Sequence, residues 1–158
     1  EIERKFLVAG GEWRNQVTRS MAFRQAYVAS MEDRSVRVRI VDRRDATLTV
    51  KIGASALVRD EYEYAIPLED AEELMQSAPG VVIEKTRHTV EHGGFTWEID
   101  VFEGQYEGLV VAEVEMHDEN ADPDLPAWLG REVTGDRRFS NQSLAMDPQG
   151  DLTDVIQN

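Results

Sequence analysis

A chain of 158 residues and 17.9 kDa is the size of one domain with a core able to fold alone. Its content of 41% hydrophobic and 30% charged residues is that of a globular protein and excludes disordered and fibrous classes. Acidic residues outnumber basic ones 31 to 17, a net charge of −14 at pH 7, which excludes a general electrostatic grip on nucleic acid or an anionic membrane.

Period-2 alternation rich in β-branched residues predicts strands over Glu1–Val8, Phe23–Ala29, Val36–Val41, Thr47–Ile52 and Arg59–Ile66. A helix is expected next: Leu68, Ala71, Leu74, Met75 and Ala78 recur at helical spacing, with Pro67 ahead and Pro79-Gly80 behind. Further strands follow over Val82–Glu91, Phe95–Phe102 and Leu109–His117, and Gly93-Gly94 favours a tight hairpin turn. Asp118–Ala127, acidic and holding Pro123 and Pro126, reads as a loop, and Ser140–Met146 as one or two helical turns. No repeat, low-complexity tract or linker divides the chain. A single domain over residues 1–158 is expected, mainly antiparallel β or α+β.

Cysteine is absent, which removes disulfides, thiolate zinc sites and cysteine nucleophiles and fits a reducing compartment. No apolar run reaches the ~20 residues of a membrane span, and no signal-peptide pattern opens the sequence. A cytoplasmic location is expected, with no membrane and no nucleic acid as partner.

Residues i and i+2 of a strand share a face. By that rule Glu1, Glu3 and Lys5 lie together, as do Arg37 with Arg39, Thr47 and Thr49 with Lys51, and Glu61 with Glu63. Lys85 aligns with Arg87, Glu98 with Asp100, and Glu113 with Glu115. A merely solvated face usually mixes signs, whereas these strands carry their charges as same-sign pairs or near-pairs. Eight strands closed with the charged side inward would form a barrel with a polar lumen able to hold a small ligand, its few short helices outside. Arginine and lysine recognise phosphate oxygens. Carboxylates without histidine or thiolate select hard cations, Mg²⁺ or Mn²⁺ over Zn²⁺. Together they are equipment for phosphoryl transfer on a small phosphate-bearing substrate. No GxxxxGK[ST] loop, GxSxG elbow or HExxH is present, and His88, His92 and His117 are scattered. Trp13, Trp97, Trp128, Tyr62 and Tyr64 read as core or rim residues.

The opening Glu1-Ile2-Glu3-Arg4-Lys5 resembles the ExExK signature of the CYTH family, the triphosphate tunnel metalloenzymes. Its companions follow in the family's order: Gln25-Ala26-Tyr27, Val36 to Arg39, Leu48 to Lys51, Glu61 to Glu63, Glu84 to Arg87, Glu98 to Phe102, Ala112 to Glu115, and Glu132 to Asp136 with Arg138. The resemblance implies an eight-stranded antiparallel tunnel binding a triphosphate along its axis. It implies an enzyme, a hydrolase of the bacterial type that acts on inorganic tripolyphosphate; relatives include thiamine-triphosphatases and class IV adenylate cyclases. Carried over by position, Glu1, Glu3, Glu113 and Glu115 would hold the metal, with Glu61 or Glu63 assisting. Lys5, Arg37, Arg39, Lys51, Lys85, Arg87 and Arg138 would contact phosphates, and Asp100 would orient a basic neighbour. Tyr27 stands where relatives carry a proposed proton acceptor; a phenol serves as base at neutral pH only beside a cation such as Lys5. Cyclisation of ATP and non-catalytic binding of polyphosphate or nucleotide are the rival readings. The sequence does not decide between a monomer and a homodimer.

Overall fold

The computed structural model describes residues 2–53, 60–118 and 120–146. Nine strands and two α-helices follow one another, with strand–strand pairing antiparallel. The described residues divide into two compact units, residues 2–21 with Lys85–Asp136, and residues 22–53, 60–84 and 137–146.

The first unit is built on β1 (Ile2–Val8), β6 (Ile83–His92), β7 (Phe95–Phe102), β8 (Val110–Met116) and β9 (Leu129–Glu132). Pairing runs β6 to β7, β7 to β8, β8 to β1 and β1 to β9. The β6–β7 turn needs left-handed backbone at two successive residues, and Gly93 and Gly94 supply it at φ 60° and 81°. Alternation then sends Phe6, Val90, Trp97, Ile99, Ala112 and Val114 to one face, where Trp13 and Trp128 join them in an apolar cluster. Trp97 meets Trp128 edge-on at 5.9 Å. All three tryptophans are buried core residues, as expected.

The second unit holds β3 (Arg34–Val41), β4 (Asp45–Ile52), β5 (Asp60–Ile66) and the later part of β2 (Val17–Ser30), ordered β5-β4-β3-β2. The β3–β4 connection passes through Asp42 and Arg43 at φ 52° and 59°. Aspartate tolerates that conformation, and the Asp42 carboxylate also accepts the Ala22 N–H at 2.8 Å. Helix α1 (Leu68–Gln76) lays Ala71 and Met75 on Ala26, Val38, Ile40 and Ala46. After it the chain closes tightly on α2 (Asn141–Met146): Val81 N–H donates to Ala145 O at 2.7 Å. A Cβ on Gly80 would sit 2.1 Å from that same carbonyl oxygen, so only glycine fits there.

The sequence is corrected at several points. β2 begins at Val17 rather than Phe23, and the unforeseen β9 makes nine strands, not eight. Among the described residues β5 pairs only with β4 and β9 only with β1, so hydrogen bonds do not close the sheet into the expected barrel. Of the two places expected for Tyr62 and Tyr64, the core is excluded, since they are 48% and 57% exposed on β5. Arg59, the expected start of that strand, lies outside the described residues.

Candidate active site

In the first unit the face opposite the tryptophan cluster carries the charges. Register fixes it rung by rung: Glu3 stands opposite Glu115, Lys5 opposite Glu113, Glu98 opposite Glu113, and Arg87 opposite Asp100. Seven expected site residues therefore share this face: Glu3, Lys5, Lys85, Arg87, Asp100, Glu113 and Glu115. Glu1 lies outside the described residues.

Deep on this face is a buried ionic triad. Asp100 accepts from Lys85 Nζ at 2.7 Å, from Arg87 Nε at 2.8 Å and from Arg87 Nη2 at 2.9 Å. Burial alone would raise the Asp100 pKa, but Lys85 and Arg87 outweigh it and hold the carboxyl well below the usual carboxylate range. Burial pushes the Lys85 ammonium down, with Asp100 offsetting only part of the effect. Burial also acts against Arg87, yet its hydrogen bonds to Asp100 raise it further. The Lys85 side chain is 0% exposed. It stands among the buried polar residues, where sequence reasoning had placed a phosphate contact. The expected orienting role of Asp100 has its geometry in the two-pronged bond to Arg87, which also reaches Glu98 at 3.3 Å.

Toward the start of β1 the face becomes acidic. Directly opposed like charges destabilise a sheet, and the Glu3–Glu115 and Glu98–Glu113 rungs are both of that kind. Lys5 Nζ relieves one of them, 3.4 Å from Glu113. On the other side of β1, backbone and side-chain bonds fix this strand. Lys5 N–H donates to Thr134 Oγ1 at 2.9 Å and Lys5 O accepts Val133 N–H at 2.8 Å. Thr134 and Arg4 both donate to Glu132 and bring its pKa down to about 2, the Arg4 bond first. Among the described residues no three His, Cys, Asp or Glu side chains come close enough to hold a metal by themselves. Mg²⁺ does not require that, because it is held by one or two carboxylates plus water and substrate phosphates. An all-oxygen donor set with directly opposed carboxylates fits such an ion.

In the second unit the face turned away from α1 carries a second set. One rung reads Gln25, Arg39, Thr47; the next reads Tyr27, Arg37, Thr49, Glu63; Ser35, Lys51 and Glu61 follow. Tyr27, Arg37, Arg39, Lys51, Glu61 and Glu63 are thus brought together, and both Glu61 and Glu63 lie on the charged side. Arg39 is held by Gln25 at 2.9 Å and lies over the Phe23 ring at 4.5 Å. Arg138 sits in a short turn of helix over Arg137–Phe139, its guanidinium 5.5 Å from the Phe139 ring centre. Sequence reasoning gave no role to Gln25, Thr49 or Glu98. Same-face arithmetic marks each of them, since each stands two residues from an assigned one.

The histidines stand apart from these sets. His88 packs on Trp13 at 5.2 Å and bonds Ser20; burial and then Arg14 push its pKa down.

The family model of the CYTH domain matches residues 1–144. An inorganic triphosphatase of Acetivibrio thermocellus is 44% identical over 149 residues, 94% of each chain. One from Nitrosomonas europaea is 34% identical over 92% of this chain and 97% of that protein. The crystal structure of the inorganic triphosphatase NE1496 matches with a TM-score of 0.71 at 35% identity, over 92% of this chain and 97% of that chain. With the family model covering nearly the whole described sequence, this chain belongs to the CYTH domain family.

Proposed function

We propose that this protein hydrolyses inorganic triphosphate to diphosphate and phosphate with the help of Mg²⁺ or Mn²⁺. The observation that carries the reading is the 44% identity, over 94% of both chains, to a protein named inorganic triphosphatase. The charged faces supply the chemistry that such a reaction needs. Transfer of a terminal phosphoryl group to water needs positioning and charge neutralisation more than covalent chemistry.

Glu3, Glu113 and Glu115, which share one charged face, would hold the metal together with Glu1. The ion would neutralise phosphate charge and help polarise the bond to be broken. Lys5, Arg37, Arg39, Lys51, Arg87 and Arg138 would pair with phosphate oxygens, arginine through its fork of donors and lysine as a point charge. Lys85, its ammonium already bonded to Asp100 at 2.7 Å, would act on phosphate through the field it shares with Arg87 and Asp100. Tyr27 and Glu61, on the charged face of the second unit, would take the proton of the attacking water. The protein would act in the cytoplasm, in keeping with its lack of cysteine.

Purified protein should release phosphate from tripolyphosphate in Mg²⁺ or Mn²⁺ and stop when EDTA is in excess. ATP and thiamine triphosphate, run beside it, should be poor substrates. Cyclic AMP formed from ATP would make it a cyclase. Tight tripolyphosphate binding with no phosphate release would make it a binding module.

A further inference from the structure

Two buried polar side chains on the arginine-bearing face of the second unit have no part in the reading above. Gln25 is 0% and Thr49 is 1% exposed. Arg39 Nε donates to Gln25 Oε1. A guanidinium has only donors, so the carbonyl end of Gln25 must face Arg39 and the amide end must face elsewhere. That amide Nε2 is buried without an acceptor. On the adjacent rung Thr49 Oγ1, opposite Arg37, is buried without a partner, and so is Arg37 Nε. Five such side-chain atoms occur among the described residues, and three of them fall on these two neighbouring rungs. Each orphaned group carries a desolvation cost in the free protein, and a concentration of them calls for an explanation. All three can donate, and what they lack is an acceptor.

Resting on the triphosphatase reading, we propose that Gln25 Nε2 and Thr49 Oγ1 donate directly to non-bridging phosphate oxygens of the substrate, as neutral partners of Arg37 and Arg39. The flanking guanidinium side chains are long and rotatable, and an arriving phosphate draws them toward itself and meets the donors beneath. The two kinds of donor do different work. Arginine attracts any anion, whereas a buried amide or hydroxyl rewards a ligand only for an acceptor in the right place.

The test compares Thr49→Val, Thr49→Ser and Gln25→Glu with the wild type. Tripolyphosphate hydrolysis is measured in Mg²⁺ and thermal unfolding without substrate. Valine keeps the shape of threonine and removes the orphan, so the free protein should melt no lower than the wild type. Its KM for tripolyphosphate should rise about tenfold, the loss of one charge-assisted hydrogen bond. Serine keeps the hydroxyl and should keep a KM near that of the wild type. Gln25→Glu still accepts from Arg39 and so should fold, but it turns an acceptor toward phosphate and should raise KM at least as much. An unchanged KM in Thr49→Val or Gln25→Glu, or an equal loss in Thr49→Ser and Thr49→Val, overturns the proposal. If the wild type releases no phosphate from tripolyphosphate, the triphosphatase reading fails and takes this inference with it.

Discussion

Replacing Asp100 with asparagine removes one charge and almost no volume from a cluster whose Lys85 and Asp100 are 1% and 2% exposed. The carboxylate now takes three hydrogen bonds, two on Oδ2 from Lys85 and Arg87 and one on Oδ1 from Arg87. Asparagine can present its oxygen to one side only, and its amide then meets a donor on the other. Removing one partner of a buried ion pair costs about 3–5 kcal/mol, because the remaining charge is left uncompensated. For a chain of this length each kcal/mol moves the melting midpoint by about 2–4 °C, so Asp100→Asn should melt about 6–20 °C below the wild type.

The dependence on pH has a definite sign. Burial lowers the Lys85 pKa in the folded protein, and loss of the Asp100 charge lowers it further. Between that folded value and about 10.4 the unfolded chain binds the extra proton, so stability rises with pH across the window. The deficit of Asp100→Asn should therefore shrink from about pH 7 to about pH 10. Urea unfolding followed by the fluorescence of the buried tryptophans would read both effects. A variant as stable as the wild type, or a deficit constant over that range, would refute the reasoning.

Arg39→Ala should cut kcat/KM for tripolyphosphate by about 10–150-fold, equivalent to ~1.5–3 kcal/mol for a charge-assisted contact, while the protein keeps a cooperative melt. Wild-type kinetics with a collapsed melt would make Arg39 a structural residue. Glu3→Gln and Glu113→Gln remove a ligand charge and keep its shape, so each should raise the Mg²⁺ concentration needed for half-maximal phosphate release; an unchanged requirement in both would remove these residues from the metal site. Glu132, held down to about 2 by Arg4 and Thr134, stabilises the fold above its unfolded value near about 4.3, and that contribution is lost as pH falls toward about 2. Glu132→Gln should accordingly be less stable than wild type at neutral pH, by under about 1 kcal/mol for so exposed a pair, and the two should converge in acid; parallel urea titrations at both pH values decide it.

The charged faces were legible because period-2 alternation is local. Arg37 and Arg39 need only Val38 buried between them to declare their side. What alternation cannot give is depth, or the sign of the neighbour across the strand. Lys85 carries the same pattern as Arg87, yet the register that puts Asp100 beside Arg87 also encloses Lys85. Strand β9 escaped because four residues with Gly130 among them leave no pattern to read. The first residues of β2, Thr18 to Ser20, are exposed and uniformly polar, so no alternation marks them as strand. Tyr62 and Tyr64 alternate as core residues do, but among the described residues β5 has a partner on one side only. Closure of a barrel is the least local property of all, since it depends on hydrogen bonds between strands far apart in sequence.

A net charge of −14 argues against binding a polyanion only if the charges act as one. They do not, because the sheet of the second unit sorts them. Helix α1 covers one side through Ala71 and Met75 and carries Glu69, Asp70, Glu72 and Glu73 on its remaining surface. Arg37, Arg39 and Lys51 share the opposite side, by register. Exposed charges are screened over about 8 Å at physiological ionic strength, so the acids of α1 have little influence on an anion that meets the arginines across the apolar layer. Glu61 and Glu63 are the exceptions. They stand opposite Lys51 and Thr49 on the cationic side itself, where a polyanion alone would be repelled and one that carries a divalent cation would not. The same reasoning holds in the first unit, where the Glu3–Glu115 rung lies two residues from Lys5. Composition therefore reports the sum of the charges, while the binding preference is set by which of them share a face.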